Sequence, residues 1–291
     1  MRKDIILPGL ALAGGAAGFA LRKWQLISAF HPETGLFDHG SPTTYALLAV
    51  IALMGVLFLL LLRGEIKKPD DFLPAFCCPQ SGQMTVWAAA GLLFFASALL
   101  LFMDGAQQFQ VWQYTPVLER DPTQFTLAAA KLLTGLLSLP AGAALLLMGK
   151  SAYRGCVPDT LGYLAPMPAF AGLLWLFFTH LEHGTEPVLM RYGLTLSAAA
   201  LFMLAHYYFA GFLFGRCYPR RALFLGLLGT VVGLASLADG RSLAVTVLTI
   251  AFSLSSLGFS RALLGNCFGP SWPERMPSGA QDTEHNEDCT E

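Results

Sequence analysis

The sequence predicts an all-α protein, a polytopic bundle of about eight membrane-spanning helices. Two observations carry this prediction. Hydrophobic residues make up 55% of the 291 residues and charged residues only 13%, which is about half the charged share of a soluble domain. The charges that remain lie between long apolar runs, and the run TYALLAVIALMGVLFLLLL at residues 44–62 carries none. In lipid, only a helix satisfies every backbone polar group within one such segment.

Eight apolar runs are each long enough to cross a hydrocarbon layer of about 30 Å as a helix. They cover residues 5–21, 44–62, 85–103, 125–148, 163–179, 188–214, 222–237 and 242–264. The links between them are mostly short, so the sequence predicts one transmembrane helical domain over residues 1–264. Residues 265–291 contain six acidic residues, one Arg and three Pro. Such a composition buries too little apolar surface to order a chain, and we predict a disordered acidic cytoplasmic tail there.

The first apolar run has two interpretations. Arg2 and Lys3 precede it, and Ala11-Leu12-Ala13 is similar to the small-residue cleavage site of a secretory signal. Cleavage there would leave seven spanning helices. The apolar sequence continues past this point to Leu21, and Gly14 and Gly18 form a GxxxG pattern suited to close helix packing. These features favour a retained first helix.

Positively charged residues predict that both chain ends lie in the cytoplasm. With the amino terminus inside, the inner side receives Arg2, Lys3, Arg63, Lys67, Lys68, Lys150, Arg154, Arg216, Arg220, Arg221, Arg261 and Arg275, and the outer side receives Arg22, Lys23, Arg120, Arg191 and Arg241. This excess follows the positive-inside rule, which Arg22 and Lys23 violate locally. All six cysteines also fall on the inner side, where a reducing cytoplasm tolerates free thiols.

A short motif of Gly, Cys and Pro follows three of the predicted helices. It reads RGCVP from Arg154, GRCYP from Gly215 and GNCFGP from Gly265. A helix stop is the favoured interpretation, because Gly suits a helix C-cap and Pro cannot continue a helix. A metal site is the alternative, although the CxxC pairs typical of such sites are absent from the sequence. The recurrence also suggests related helical hairpins, and transporters are often built from internal repeats.

Three ionisable residues are predicted at membrane depth and form a candidate polar site. His206 lies well inside the sixth run, and a titratable group in lipid is a functional candidate that needs a partner. Its alternative role is neutral packing, with a hydrogen bond to a neighbouring helix. Lys131 lies about two turns into the fourth run, where its stem can reach the headgroups. Asp104, at the end of the third run, is its expected partner.

A second candidate cluster follows the fifth run at the predicted outer face. It contains His180, Glu182 and His183. The order H-x-E-H differs from the H-E-x-x-H of zinc proteases, and the sequence offers no third ligand. A loose metal or proton site is one interpretation, and a hydrated polar loop is the favoured one.

The opening of the chain carries the one family resemblance. The stretch GGAAGFALRKWQL at residues 14–26, with Ala29-Phe30 and Thr34-Gly35-Leu36 after it, resembles uncharacterised multi-pass membrane proteins of anaerobic bacteria. The resemblance implies a protein of the bacterial cytoplasmic membrane. It implies no activity, so no functional residue is carried over.

Composition and motifs narrow the function to three classes. A net charge of −1 gives no basic footprint for nucleic acid. The sequence has no P-loop, no nucleophile elbow and no dinucleotide fingerprint, so an enzyme is the least favoured class and we predict no cofactor. A non-catalytic scaffold, sensor or assembly partner is favoured, with a transporter or permease-like component as the alternative. The expected partners are lipid and either other membrane proteins or further copies of the chain.

Overall fold

The chain is almost wholly helical in the computed structural model. The structure describes residues 2–31, 36–38, 40–64, 66–78, 80–184, 186 and 188–269. Within these residues, eight helical segments are long and apolar enough to cross a membrane. The described part of the chain contains no β-strand and one isolated bridge, between Phe30 and Phe37. The predicted helical class and the number of apolar helices are therefore confirmed.

The α-helices of the described residues are numbered in chain order. They are α1 Lys3–Ser28, α2 Pro42–Leu61, α3 Phe72–Phe76, α4 Ser81–Tyr114, α5 Pro122–Arg154, α6 Thr160–Leu164, α7 Met167–Glu182, α8 Gly193–Gly211, α9 Pro219–Ser236 and α10 Leu243–Phe268. The short helix α6 joins α7 to form one apolar segment, Thr160–Glu182. Single 3-10 turns extend α8 and α9, as Phe212–Phe214 and Leu237–Asp239.

Helix ends follow the local sequence at two of the three predicted stops. Gly155 and Gly215 adopt left-handed φ angles of 74° and 68°, a conformation that glycine reaches without strain. The structure differs at Gly265, because α10 continues through it to Phe268. The Asn266 side chain stabilises the added turn by donating to the Ala75 carbonyl oxygen over 2.9 Å. The rest of the predicted tail, residues 270–291, lies outside the described residues.

Helices α4 and α5 form an antiparallel pair that extends past their apolar runs at both ends. Their backbones approach closely at Gly91 and Gly142. A Cβ atom added at Gly142 would lie 2.8 Å from the carbonyl oxygen of Gly91, and one at Gly91 would lie 2.9 Å from that of Gly142. Small residues at such positions allow close helix contact in membrane proteins.

Helices α9 and α10 occupy the centre of the bundle, and α2 is its most exposed helix. Two glycines of α1 pack on α9, since a Cβ at Gly15 would lie 2.6 Å from Leu234 and one at Gly18 would lie 2.9 Å from Ala235. The predicted GxxxG pair therefore has Gly18 at this contact, while Gly14 lies against Met54 of α2.

Long-range contacts identify the two ends of the bundle. At one end, which we call the Lys3 end, Lys3 Nζ donates to the Leu61 carbonyl over 2.9 Å. At the same end, the Lys67 amide donates to the Cys267 carbonyl over 3.2 Å. The Arg22 end is the opposite one. There the end of α1, the start of α2 and the turn between α9 and α10 meet. Helices α1, α2, α9 and α10 thus alternate in direction.

Candidate functional site

A buried ion pair between Arg22 and Asp239 forms the centre of the Arg22 end. Arg22 lies in the second-last turn of α1 and Asp239 in the 3-10 turn after α9. The Nε atom of Arg22 donates to Oδ1 of Asp239 over 2.6 Å, and the two side chains are 0% and 1% exposed. Two charges removed from water in this way are stable only when hydrogen bonds satisfy their remaining groups.

Further hydrogen bonds satisfy both partners of this pair. Arg22 Nη1 donates to Gln25 Oε1 over 2.6 Å, and Nη2 donates to the Met190 carbonyl over 2.8 Å. Gln25 donates in turn to Thr44 Oγ1 of α2 over 2.8 Å. The second carboxylate oxygen of Asp239 accepts from Thr195 Oγ1 of α8 over 3.0 Å. The network therefore joins α1, α2, α8 and the end of α9.

A second polar group at this end is built around His183. Its Nδ1 atom lies 3.0 Å from the Thr179 carbonyl, which can only accept, so Nδ1 carries the proton. Nη1 of Arg241, which can only donate, faces the other ring nitrogen, so this nitrogen accepts. The ring of Tyr192 stacks on the imidazole at 5.0 Å between centroids. Arg241 Nη2 donates to the Arg191 carbonyl over 2.8 Å, which connects this group to the loop that binds Arg22.

The predicted outer cluster is divided among different contacts. His180 is exposed, His183 is buried against Arg241, and Glu182 accepts from Lys131 Nζ over 2.9 Å. The ion pair of Lys131 thus involves Glu182 of α7 and not Asp104, the partner that the sequence suggested. Among the described residues, no three His, Cys, Asp or Glu side chains come close enough together to hold a metal ion.

His206 lies in the interior of the bundle and is 2% exposed. Its Nδ1 atom donates to the Phe202 carbonyl one turn earlier over 2.9 Å, and its Nε2 atom lies 2.8 Å from Ser255 Oγ of α10. The rings of Phe209, Phe252 and Phe259 surround it edge-to-face. The imidazole therefore has a polar partner on a neighbouring helix and does not face the outside of the bundle.

Cysteines gather at the Lys3 end. Cys77 and Cys78 follow α3, Cys217 precedes α9, and Cys267 lies in the last turn of α10. Burial raises the pKa of the Cys77 thiol to about 11, and neighbouring Cys78 adds to the increase. Burial, followed by the charges of Asp71 and Asp70, also raises the pKa of Cys217. These two environments therefore favour the protonated thiol over the reactive thiolate at neutral pH.

Alkylation of Cys77 by iodoacetamide at pH 7 should proceed about a hundredfold more slowly than that of an unperturbed cysteine, since only the thiolate reacts and the pKa of Cys77 is raised to about 11. The rate should rise about tenfold per pH unit up to pH 11. Mass spectrometry of the native chain, with fragmentation that assigns the label to Cys77 or Cys78, measures it. Unfolding in SDS provides the control, because it should restore the ordinary rate. A fast reaction of folded Cys77 at pH 7 would contradict the assigned environment.

Sequence reasoning missed the residues of the Arg22–Asp239 network. Two features of the sequence pointed to this network: Arg22 violates the positive-inside rule, and Asp239 lies at the end of an apolar run. The network holds helices together, while His206 and Ser255 form a separate buried polar pair in the interior of the bundle. No protein-family model, curated protein or solved structure matches the chain.

Proposed function

We propose that this protein is a non-catalytic multi-pass membrane component that acts as a scaffold, sensor or assembly partner. The Arg22–Asp239 network is the observation that carries the proposal. All three guanidinium nitrogens donate to protein groups and both carboxylate oxygens accept from them. Buried ionic groups that are paired and hydrogen-bonded in this way can specify one conformation. Here these groups are used to fix one helix arrangement, as a rigid binding partner requires.

The proposal includes retention of α1 and a location in the bacterial cytoplasmic membrane with both ends inside. Arg22 and Gln25 of α1 complete the network, so loss of this helix would leave Asp239 buried without its cation. The excess of Lys and Arg at the Lys3 end supports the orientation. The contacts of Lys3 and Lys67 bring the start of α1 and the end of α10 to that same end.

Cysteine labelling tests this orientation. Leu118→Cys lies between α4 and α5, and Lys68→Cys lies between α2 and α3; both positions are exposed. An impermeant maleimide added to intact cells should label Leu118→Cys above the level of the native protein. Lys68→Cys should react only after permeabilisation. The reverse pattern would invert the topology, and labelling of both in intact cells would contradict the alternation of the helices.

Purification from native membranes tests the assembly role. A tagged chain, extracted in a mild detergent, should retain a membrane protein or further copies of itself in a fixed ratio by mass spectrometry. An Asp239→Ala variant, in which the helix arrangement loses its central pair, should retain less of it. A variant with the exposed substitution Arg154→Gln is the matched control. Recovery of the chain alone, together with solute uptake by vesicles that contain it, would favour the alternative function.

A transporter or permease-like component is the second candidate, and the His206–Ser255 pair favours it. In the neutral state, the Ser255 hydroxyl donates to Nε2. In the protonated state, Nε2–H donates to Ser255 Oγ, and the hydroxyl turns to the Phe252 carbonyl 3.0 Å away. Both states satisfy every hydrogen-bonding group of the pair. A proton can therefore bind without leaving an unpaired polar atom, as a relay residue requires.

Two substitutions at His206 separate these roles. With a packing role, we expect His206→Gln to be tolerated, and His206→Leu to lower the free energy of unfolding by about 1 kcal/mol, the scale of one hydrogen bond within a membrane protein. With a transport role, both variants should fold but abolish proton flux in vesicles that contain a pH dye. Unfolding in detergent provides the stability measurement. Flux that persists in folded His206→Leu would exclude the relay.

A further inference from the structure

A groove of about 620 Å³ lies at the Lys3 end, along the end of α8 and the first turn of α9. Its walls include Tyr207, Tyr208, Phe214, Arg216, Tyr218 and Arg221. Its position at the Lys3 end follows from the neighbouring residue Arg220, whose Nη2 donates to the Gly64 carbonyl over 2.6 Å. No residue of the Arg22–Asp239 network lines this groove, so the two features are separate.

The groove carries two arginines for which the described residues provide no ion-pair partner. Arg216 and Arg221 are both exposed, and no described carboxylate forms an ion pair with either of them. Arg221 lies over the Tyr218 ring at 5.0 Å from its centroid, which holds the guanidinium at the mouth of the groove. Two such groups at one site complement an anion, and guanidinium groups match phosphate geometry well.

Polarity changes along the groove from its mouth into the bundle. Arg216 and Arg221 flank the turn between α8 and α9, while Tyr207 lies about 10 Å further along α8 by helix rise. Tyr207 and Phe214 expose 54% and 58% of their surfaces. An amphiphile with a charged head and an apolar tail has the same order of polarity. A free anion would match the arginines alone and leave these aromatic rings uncovered.

We propose that the groove binds an anionic phospholipid from the surrounding bilayer. The phosphate lies between Arg216 and Arg221, and an acyl chain covers the faces of Tyr207 and Phe214. Basic pockets near the ends of membrane helices bind anionic headgroups in this way. The site does not depend on the scaffold role proposed above, since it needs neither a partner protein nor the ion pair at the Arg22 end.

Melting of the purified full chain tests the site. The protein is delipidated in detergent and titrated with phosphatidylglycerol, phosphatidylcholine or inorganic phosphate, while native mass spectrometry counts the bound lipid. Phosphatidylglycerol should raise the melting temperature and the other two should not. In Arg216→Gln/Arg221→Gln, the affinity for phosphatidylglycerol should fall about tenfold or more. Arg154→Gln, at an exposed position of the same end, should keep the native affinity.

Each other outcome overturns the proposal. An equal rise in melting temperature with phosphatidylcholine would mean that the arginines do not select lipids by headgroup charge. An equal response to inorganic phosphate would identify a site for free anions. An equal loss of affinity in Arg154→Gln would assign the effect to general surface charge. The double variant changes exposed residues, so its melting temperature without lipid should match that of the native chain and confirm that it folds.

Discussion

Asp239→Ala is expected to lower the free energy of unfolding by about 3–5 kcal/mol, because it leaves a buried arginine without its counter-charge. Arg22 is fully buried, and its guanidinium is held by Gln25 and the Met190 carbonyl. It therefore cannot turn to solvent without breaking these bonds as well. Titration of the purified protein with SDS, followed by circular dichroism, measures the change.

Two further variants make this result specific. Glu182→Ala removes the partner of Lys131, but Glu182 is 35% exposed, so solvent screening should limit the loss to about 1 kcal/mol or less. Arg22→Met combined with Asp239→Leu removes both charges and should recover most of the stability, because no unpaired ion remains. The network has no stabilising role if Asp239→Ala costs no more than Glu182→Ala.

Gly142→Ala should lower the free energy of unfolding by about 1–3 kcal/mol, the cost of overpacking a tight contact. The new methyl group would lie 2.8 Å from the Gly91 carbonyl oxygen and 3.2 Å from the Phe95 ring. A flexible side chain could move away, but a backbone carbonyl within α4 moves only with its helix. The same SDS titration measures the loss.

Gly55→Ala is the matched control for this substitution. Gly55 also lies within an apolar helix, but nothing lies within 4 Å of a Cβ atom added there. Alanine has a higher helix propensity than glycine by about 1 kcal/mol, so this variant should be as stable as the native chain or more so. Equal losses in the two variants would show that the α4–α5 contact is not what requires glycine at position 142.

The helices could be predicted because their cause is local. A run such as residues 44–62 has no charge to place in water and no other way to satisfy its backbone. The ends were less predictable, since α4 continues eleven residues beyond Met103, through four glutamines and Trp112, by packing against α5. Local polarity ended the predicted span there, while a tertiary contact extended the helix.

The polar contacts depend on residues that are far apart in sequence. Helix periodicity alone places Phe202 and Phe209 on the face of His206, and both contact it. Its partner Ser255 lies on α10, and helix periodicity carries no information about which helix will be the neighbour. The partner of Lys131 was wrongly predicted for the same reason. Asp104 and Glu182 both follow the end of an apolar run, and only the packing of α5 on α7 brings Glu182 to Lys131.

The ion pair that connects α1 to the end of α9 joins residues 217 positions apart, and this separation has a consequence for biosynthesis. At about 5–20 residues per second, the ribosome adds Asp239 some 10–40 s after Arg22. Throughout that interval the guanidinium of Arg22 must be hydrated or held by another molecule. This pair can therefore fix α1 in its final position only after the ribosome has added residue 239.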